Sequence, residues 1–252
     1  MSKAKYLKIS LLYLAICQFA TCGETIAQTR TPLTLYYYER KPFHYTTDDG
    51  KVAGLTVVPT EAAFAKLDIP IHWSKVPVNR ILAQIKMNRE AACSPGSYKK
   101  PDREKYARYS IPIYRDKPLV GLANARFLAE PGITARELLA RPDTRLLVKQ
   151  NFSQGAYMDE LIAKMPSAHV FPTTDEVPTM VQMIARGRAD LIITTQEEVE
   201  IYIHQSGFKL EDFHILVFPD VPEVEKRYIL CSQEVPVEVI DNLNSVLTKI
   251  VH

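Results

Sequence analysis

Strand-like and helix-like segments alternate along almost the whole chain, and this order predicts an α/β protein with mostly parallel sheets. Three observations carry the prediction. β-branched and aromatic runs such as residues 33–38 and 189–194 are separated by segments whose apolar residues recur at helical spacing. Two of those segments carry a full stripe at i, i+3, i+4 and i+7: Val78, Ile81, Leu82, Ile85, and Val177, Met180, Val181, Ile184. Each stripe runs into a short buried strand and then a polar loop, so the chain reads as two nearly equal blocks.

The run 33–38, Leu-Thr-Leu-Tyr-Tyr-Tyr, is a strand by its composition. After the turn at Asp48-Asp49-Gly50, residues 55–67 read as a helix and 69–73 as a second strand. The first striped helix puts Arg80, Gln84 and Lys86 on its other faces, and Ala91-Ala92-Cys93-Ser94 follows as a short buried strand. The stretch 94–118 is polar, rich in Tyr and Lys, and holds Pro95, Gly96, Pro101, Pro112 and Pro118. It reads as loop and connector. Beyond it, 119–123 is a strand, and Thr134-Ala135-Arg136-Glu137 is a capping box opening a helix through Leu139. Residues 145–149 form a strand, 155–164 a helix and 169–172 a short strand. The second striped helix closes at Arg186-Gly187. A strand at 189–194, a helix at 195–205, strands at 214–218 and 228–231 and a closing helix at 236–251 complete the order. Ligands of open α/β sheets sit outside the carboxyl ends of the strands, which directs attention to the loops after Ser94 and Thr194.

The balance of 31 basic and 29 acidic residues in 252, a net charge of +2, argues against nucleic acid as a partner, because such binders concentrate a basic excess. A hydrophobic content of 46% and a charged content of 24% are those of an ordinary globular protein. The N-terminus is different in character. Lys3, Lys5 and Lys8 precede a mostly apolar run at 9–17, too short to span a bilayer. Thr25-Ile26-Ala27 offers a small-x-small cleavage site, with Ala20-Thr21-Cys22 a second candidate. This is the pattern of a secretory signal peptide over 1–27, and it implies a protein exported from the cytoplasm. Its removal takes three lysines and one glutamate and leaves a formally neutral chain, so any recognition by charge is local. Of Cys17, Cys22, Cys93 and Cys231, the last two stay in the exported part. They can form one disulfide in an oxidising compartment, although 138 positions apart the sequence does not test the geometry.

Several motifs occur in an order that resembles the periplasmic solute-binding proteins of family 3. They are Gly54-Leu55 after a turn, the helix at 77–87, a short strand, and then Pro101-Asp-Arg-Glu-Lys-Tyr-Ala-Arg-Tyr-Ser-Ile-Pro-Ile-Tyr114. In the second half, Arg145-Leu-Leu-Val-Lys-Gln150 with Ser153-Gln154-Gly155, and Arg188-Ala-Asp-Leu-Ile-Ile193, are similar to that family's second-lobe strand, helix start and Gly-Arg-x-Asp strand. The resemblance covers roughly residues 31–252. It implies a type II-like two-lobed periplasmic-binding-protein fold, two mixed sheets flanked by helices and joined by two interlobe crossovers. Lobe 1 would be 28–117 plus 223–252 and lobe 2 would be 118–222, closing on a ligand by hinge motion. It also implies a non-catalytic role: capture of a small polar, anionic solute, amino-acid-like or an organic acid, for a membrane transporter permease or a sensor. The chain would act as a monomer and without a cofactor.

Arg103 stands where the family grips a ligand carboxylate with an arginine fork; without that resemblance it reads rather as a surface arginine paired with Asp102 or Glu104. Ser153 stands where the family has a hydroxyl residue at a helix N-terminus suited to an anion, and it also fits an ordinary N-cap. Gly96 and Tyr98 follow the first-lobe strand, where Pro95 replaces a usual backbone donor. Thr194-Thr195-Gln196 occupies the place of an acidic residue that holds a ligand ammonium, with Glu197 and Glu198 slightly late. Tyr38 and Glu39, with Arg40 and Phe43, lie at the end of the first strand and offer an aromatic surface. Trp73 and Arg80 lie at element ends that can face the cleft. The alternative is an enzyme on the same fold, similar to cyclohexadienyl dehydratases, for which Glu39 and Glu197 are the candidate acid-base groups. The six histidines, His44, His72, His169, His204, His214 and His252, form no spaced pair, and no metal is implied.

Overall fold

The computed structural model describes residues 32–221 and 225–251. The export signal expected at 1–27 lies outside the described residues. Among the described residues no helix is long and apolar enough to cross a membrane.

The elements of the first block are β1 (Leu33–Tyr37), β2 (Tyr45–Thr46), β3 (Val52–Ala53), α1 (Val57–Lys66), β4 (Ile71–Lys75), α2 (Val78–Met87), β5 (Ala92–Tyr98), α3 (Pro101–Glu104) and β6 (Ala107–Arg115). Those of the second are β7 (Leu119–Asn124), α4 (Ala135–Ala140), β8 (Leu146–Lys149), α5 (Ala156–Lys164), β9 (Val170–Thr173), α6 (Val177–Ala185), β10 (Leu191–Thr195), α7 (Gln196–Ser206) and β11 (Phe213–Val217). The chain then returns through β12 (Lys226–Ser232) and α8 (Val237–Leu247).

Two five-stranded sheets result, ordered β4-β1-β5-β12-β6 and β11-β7-β10-β8-β9. The first takes β12 from the end of the chain, so the chain passes between the sheets twice, after β6 and before β12. The two passages meet where the Asp116 N–H donates to the Glu225 carbonyl at 2.9 Å. The sheets are more mixed than the strand-helix alternation suggests. β1 pairs in parallel with β4 and β5, and β8 with β9 and β10. β12 lies antiparallel to β5 and β6, and β7 antiparallel to β10 and β11.

The two striped helices do what their spacing demands. α2 buries Ile81 and Ile85 and ends on Asn88 in the left-handed conformation, which a short polar side chain tolerates. α6 buries Met180, Val181 and Ile184 against the second sheet together with Val199, Tyr202 and Ile203 of α7. On the other face of that sheet α4 and α5 contribute Leu138, Leu139, Met158 and Leu161. α1 and α8 cover the first sheet with Phe64, Ile240, Leu243 and Leu247. Cys93 and Cys231 are opposite each other on β5 and β12 and are joined as a disulfide within this core.

One expectation fails clearly. The stretch 94–118 is not a loop: it contains the second half of β5, the short helix α3 and the nine-residue strand β6. Its prolines disguise it. Pro112 is accommodated because β6 is an edge strand and its pairing with β12 shifts register around Tyr228. Pro95 lies beyond the residues that pair with β1 and beside another register shift against β12. The hairpin of β2 and β3 was also not anticipated.

Candidate functional site

The carboxyl halves or ends of β1, β5 and β8 converge between the two sheets. Tyr38 and Arg40 after β1, Ser94 to Tyr98 of β5 itself, and Asn151, Phe152 and Ser153 after β8 surround one cavity. Arg103 on α3 and Arg227 on β12 complete its polar wall, and Val78, Ile81 and Leu82 of α2 its apolar one. The cavity measures about 40 Å³, room for a few waters. Arg40 and Phe152 separate it from a smaller chamber of about 20 Å³, whose wall includes Lys149, Thr194, Glu198 and Tyr202. A wider hollow of about 490 Å³ lies at the far end of the second sheet. There Arg141 and Arg145 are paired with Asp143 and Asp190.

Groups from both halves meet at the cleft. The Arg40 guanidinium grips Glu198 side-on, Nε to Oε1 at 2.7 Å and Nη2 to Oε2 at 3.0 Å. Burial by itself would raise the Glu198 carboxyl, but the Arg40 charge and fork outweigh it and hold its pKa at about 2. Arg103 Nη2 donates to the Asn151 carbonyl at 3.1 Å, Lys100 pairs with Asp159 at 3.0 Å, and the Tyr38 and Phe152 rings meet edge to face. At the crossover, Arg227 donates through Nε to Asp116 at 2.6 Å and through Nη1 to the Gly96 carbonyl at 3.0 Å. Its guanidinium lies 3.6 Å from the Phe43 ring centroid, and Tyr98 donates its hydroxyl to the same Asp116.

Gly96 is at φ +87°, and a Cβ there would meet His44 Cε1 at 2.9 Å, so this wall needs glycine twice over. His44 is buried, with Nδ1 3.2 Å from Thr56 Oγ1 and Nε2 without a partner among the described residues. Burial, and then the positive charges of Arg40 and Arg227, hold its pKa well below the usual histidine value. The unfolded chain takes up a proton near pH 6.5 and the folded one does not, so stability falls as pH drops below 6.5. The expected loss is about 1.4 kcal/mol for each pH unit. Melting curves between pH 7 and 5 should show this slope, and His44→Gln should remove it; identical slopes in the two proteins would refute the assignment.

Of the residues singled out in the sequence, Arg103, Ser153, Tyr98, Gly96 and Tyr38 line the main cavity. Arg103 and Ser153 are only 8% and 9% exposed, so Arg103 is no surface arginine, and Glu104 pairs with Lys99 instead. Ser153 is not the N-cap of α5, a position held by Gly155; its hydroxyl donates to Asp159 at 2.6 Å. Four expected residues line neither chamber. Arg80 is exposed on α2. Trp73, on the edge strand β4, donates to Glu61 and packs against Tyr37. Glu39 pairs with Lys75 and accepts from Thr46. Thr195 caps α7, with its N–H and hydroxyl both directed to Glu198. Glu197, the other candidate acid-base group, accepts from Tyr114 Oη and the Lys117 N–H. Asp116, Lys149 and Arg227 were not foreseen as site groups, and Glu198 only as an acid slightly late for a ligand ammonium. A charged pair, Lys226 and Arg227, at the start of a strand that runs on into Ile229, Leu230 and Cys231 was the available signal. Among the described residues no group of three or more His, Cys, Asp or Glu side chains is placed to hold a metal ion.

No protein-family model matches the chain, and no curated protein matches it. Solved structures do. The holo arginine-binding protein from T. maritima aligns with a TM-score of 0.66 over 87% of this chain and 89% of its own, at 18% identity. This is the two-lobed periplasmic-binding-protein fold. ArtJ from Geobacillus stearothermophilus, an arginine-, lysine- and histidine-binding protein, shares it with a TM-score of 0.69 over 88% and 90% of the two chains at 14% identity. So does an ancestral amino-acid-binding protein described as a precursor of cyclohexadienyl dehydratase, with a TM-score of 0.65 over 88% and 89% at 17% identity. At these identities the likeness establishes the two-lobed fold, and the chemistry of the cleft must be read from this chain's own residues.

Proposed function

We propose that this chain is a non-catalytic, periplasmic solute-binding protein that captures a small, anionic solute between its lobes and delivers it to a membrane permease or sensor. The lobes would be 28–117 with 223–252, and 118–222. One observation carries the reading. Arg103 and Ser153, from opposite lobes, flank one cavity, and the buried Arg103 guanidinium pairs with no carboxylate among the described residues. A buried cation without a counter-ion is costly unless a ligand supplies the charge. The cavity is too small for an amino-acid-sized solute as it stands, so entry requires the lobes to part at the crossovers, as hinge closure around a ligand does. Catalysis draws less support, because Glu39 and Glu197 are both engaged away from the cavity.

A cognate solute at 100 times its Kd should stabilise the protein by about 2.7 kcal/mol by mass action, detectable in a thermal-shift screen of amino acids, organic acids and small peptides. Arg103→Ala should weaken that solute by roughly 30-fold, the equivalent of about 2 kcal/mol for charge-assisted hydrogen bonds, without loss of fold. Unchanged affinity in Arg103→Ala would refute the carboxylate grip. Turnover of a cyclohexadienyl substrate by the purified protein would replace binding with catalysis.

A further inference from the structure

The hydrogen-bond acceptors around the cleft narrow the class of solute, an inference that rests on the binding role proposed above. The wall of the main cavity holds three guanidinium groups, Arg40, Arg103 and Arg227, and no carboxylate. The adjoining chamber adds Lys149 and one carboxylate, Glu198. Glu198 is fully buried and already engaged. It accepts two bonds from Arg40, the hydroxyls of Thr194, Thr195 and Tyr202, and the Thr195 N–H. A carboxylate has about four lone-pair directions, so nothing remains for a further donor.

The carboxylates behind the wall are also engaged by groups of the protein. Asp116 accepts from Arg227 and Tyr98, and Asp159 from Lys100, Ser153 and the Gln154 N–H. Glu225 accepts from the backbone of Ala156 at the start of α5. A solute entering the cleft therefore meets guanidinium donors in excess and carboxylates that already hold donors of the protein.

We propose that the cleft selects small carboxylates lacking an α-ammonium group, and that Arg40 sets this selectivity by occupying Glu198 from the opposite lobe. An ammonium brings three donors and a positive charge into a wall of guanidinium groups. To be paired it must displace Arg40 from Glu198, which leaves a buried guanidinium without its counter-ion, an exchange that gains nothing. A carboxylate without the amine leaves the Arg40 fork intact and takes the open donors of Arg103. Arg40 thus acts as a built-in substitute for the cationic part of an amino acid.

The test is isothermal titration of the whole exported chain with matched pairs that differ only in the α-ammonium: succinate and aspartate, glutarate and glutamate, 4-methylpentanoate and leucine. The expected result is that at least one desamino member binds, ten or more times tighter than its amino acid. Arg40→Met, which removes the cation paired with Glu198, should narrow or reverse that ratio. An amino acid binding wild type as tightly as its desamino partner would overturn the inference while leaving the binding role standing. A folded Arg40→Met with an unchanged ratio would remove Arg40 as the selecting residue, and if that variant does not fold the wild-type ratio still decides the class. Failure of these pairs and of every solute in the thermal screen would instead defeat the binding role itself.

Discussion

Arg227→Met should lower the unfolding free energy by about 3–5 kcal/mol, the range for removing one partner of a buried ion pair, and the melting temperature by roughly 10 °C. Arg227 and Asp116 are 1% and 3% exposed, and the pair sits where β12 returns from the crossover to the first sheet. Burial already raises the Asp116 carboxyl above its ordinary range against the pull of Arg227. Without the guanidinium, Asp116 must either stay charged with only Tyr98 for support or take up a proton. The variant also strips a cation from the faces of Phe43 and Tyr98, contacts worth about 1–2 kcal/mol where desolvated. Replacing both partners with Leu should cost less than replacing Arg227 alone, because no charge is left unpaired. Chemical denaturation of the three variants decides the matter, and a loss below 1 kcal/mol for Arg227→Met would show that the pair is not holding the first sheet to the crossover.

Removal of the disulfide, as Cys93→Ala with Cys231→Ala, should cost a comparable amount. The bond joins residues 138 positions apart, and closing so long a loop removes about 5 kcal/mol of chain entropy from the unfolded state in the simple model, with measured losses for native disulfides of about 2–5 kcal/mol. Both sulfurs are buried between α1 and α8, so the alanine pair also loses core volume. Denaturation of wild type with and without reductant, beside the double variant, should show the reduced protein and the variant destabilised together by about 3 kcal/mol or more. Coincident curves for oxidised and reduced protein would sink the expectation. The bond ties β5, which carries Gly96 and Tyr98, to β12, which carries Arg227, so its loss should loosen one wall of the cleft as well.

Much of the fold is legible in the sequence, for a local reason. The stripes of Val78 to Ile85 and Val177 to Ile184 bury the faces their period marks out, because helical amphipathicity depends only on residues one or two turns apart. Failure concentrates at 94–118, where prolines in and beside a sheet edge imitate a loop. Whether a proline there breaks a strand depends on which side of the strand another segment occupies, and that segment is β12, more than a hundred residues later.

The site divides along the same line. Sequence alone marked the strand-helix order, the two matching blocks, the carboxyl ends of strands as the place to look, and Arg103, Ser153, Gly96, Tyr98 and Tyr38, which line the cavity there. Only the tertiary structure decided which charges face the cavity and which are already neutralised. Glu198 reads in sequence as an acid slightly late for a ligand ammonium, and in the fold it is engaged by Arg40 from 158 positions away. Trp73, in the middle of β4, and Arg80, in the first turn of α2, have the right chemistry, but neither lines the cleft. Periodicity and capping act between near neighbours along the chain, whereas the charge of a cleft is set by contacts between residues that only folding brings together.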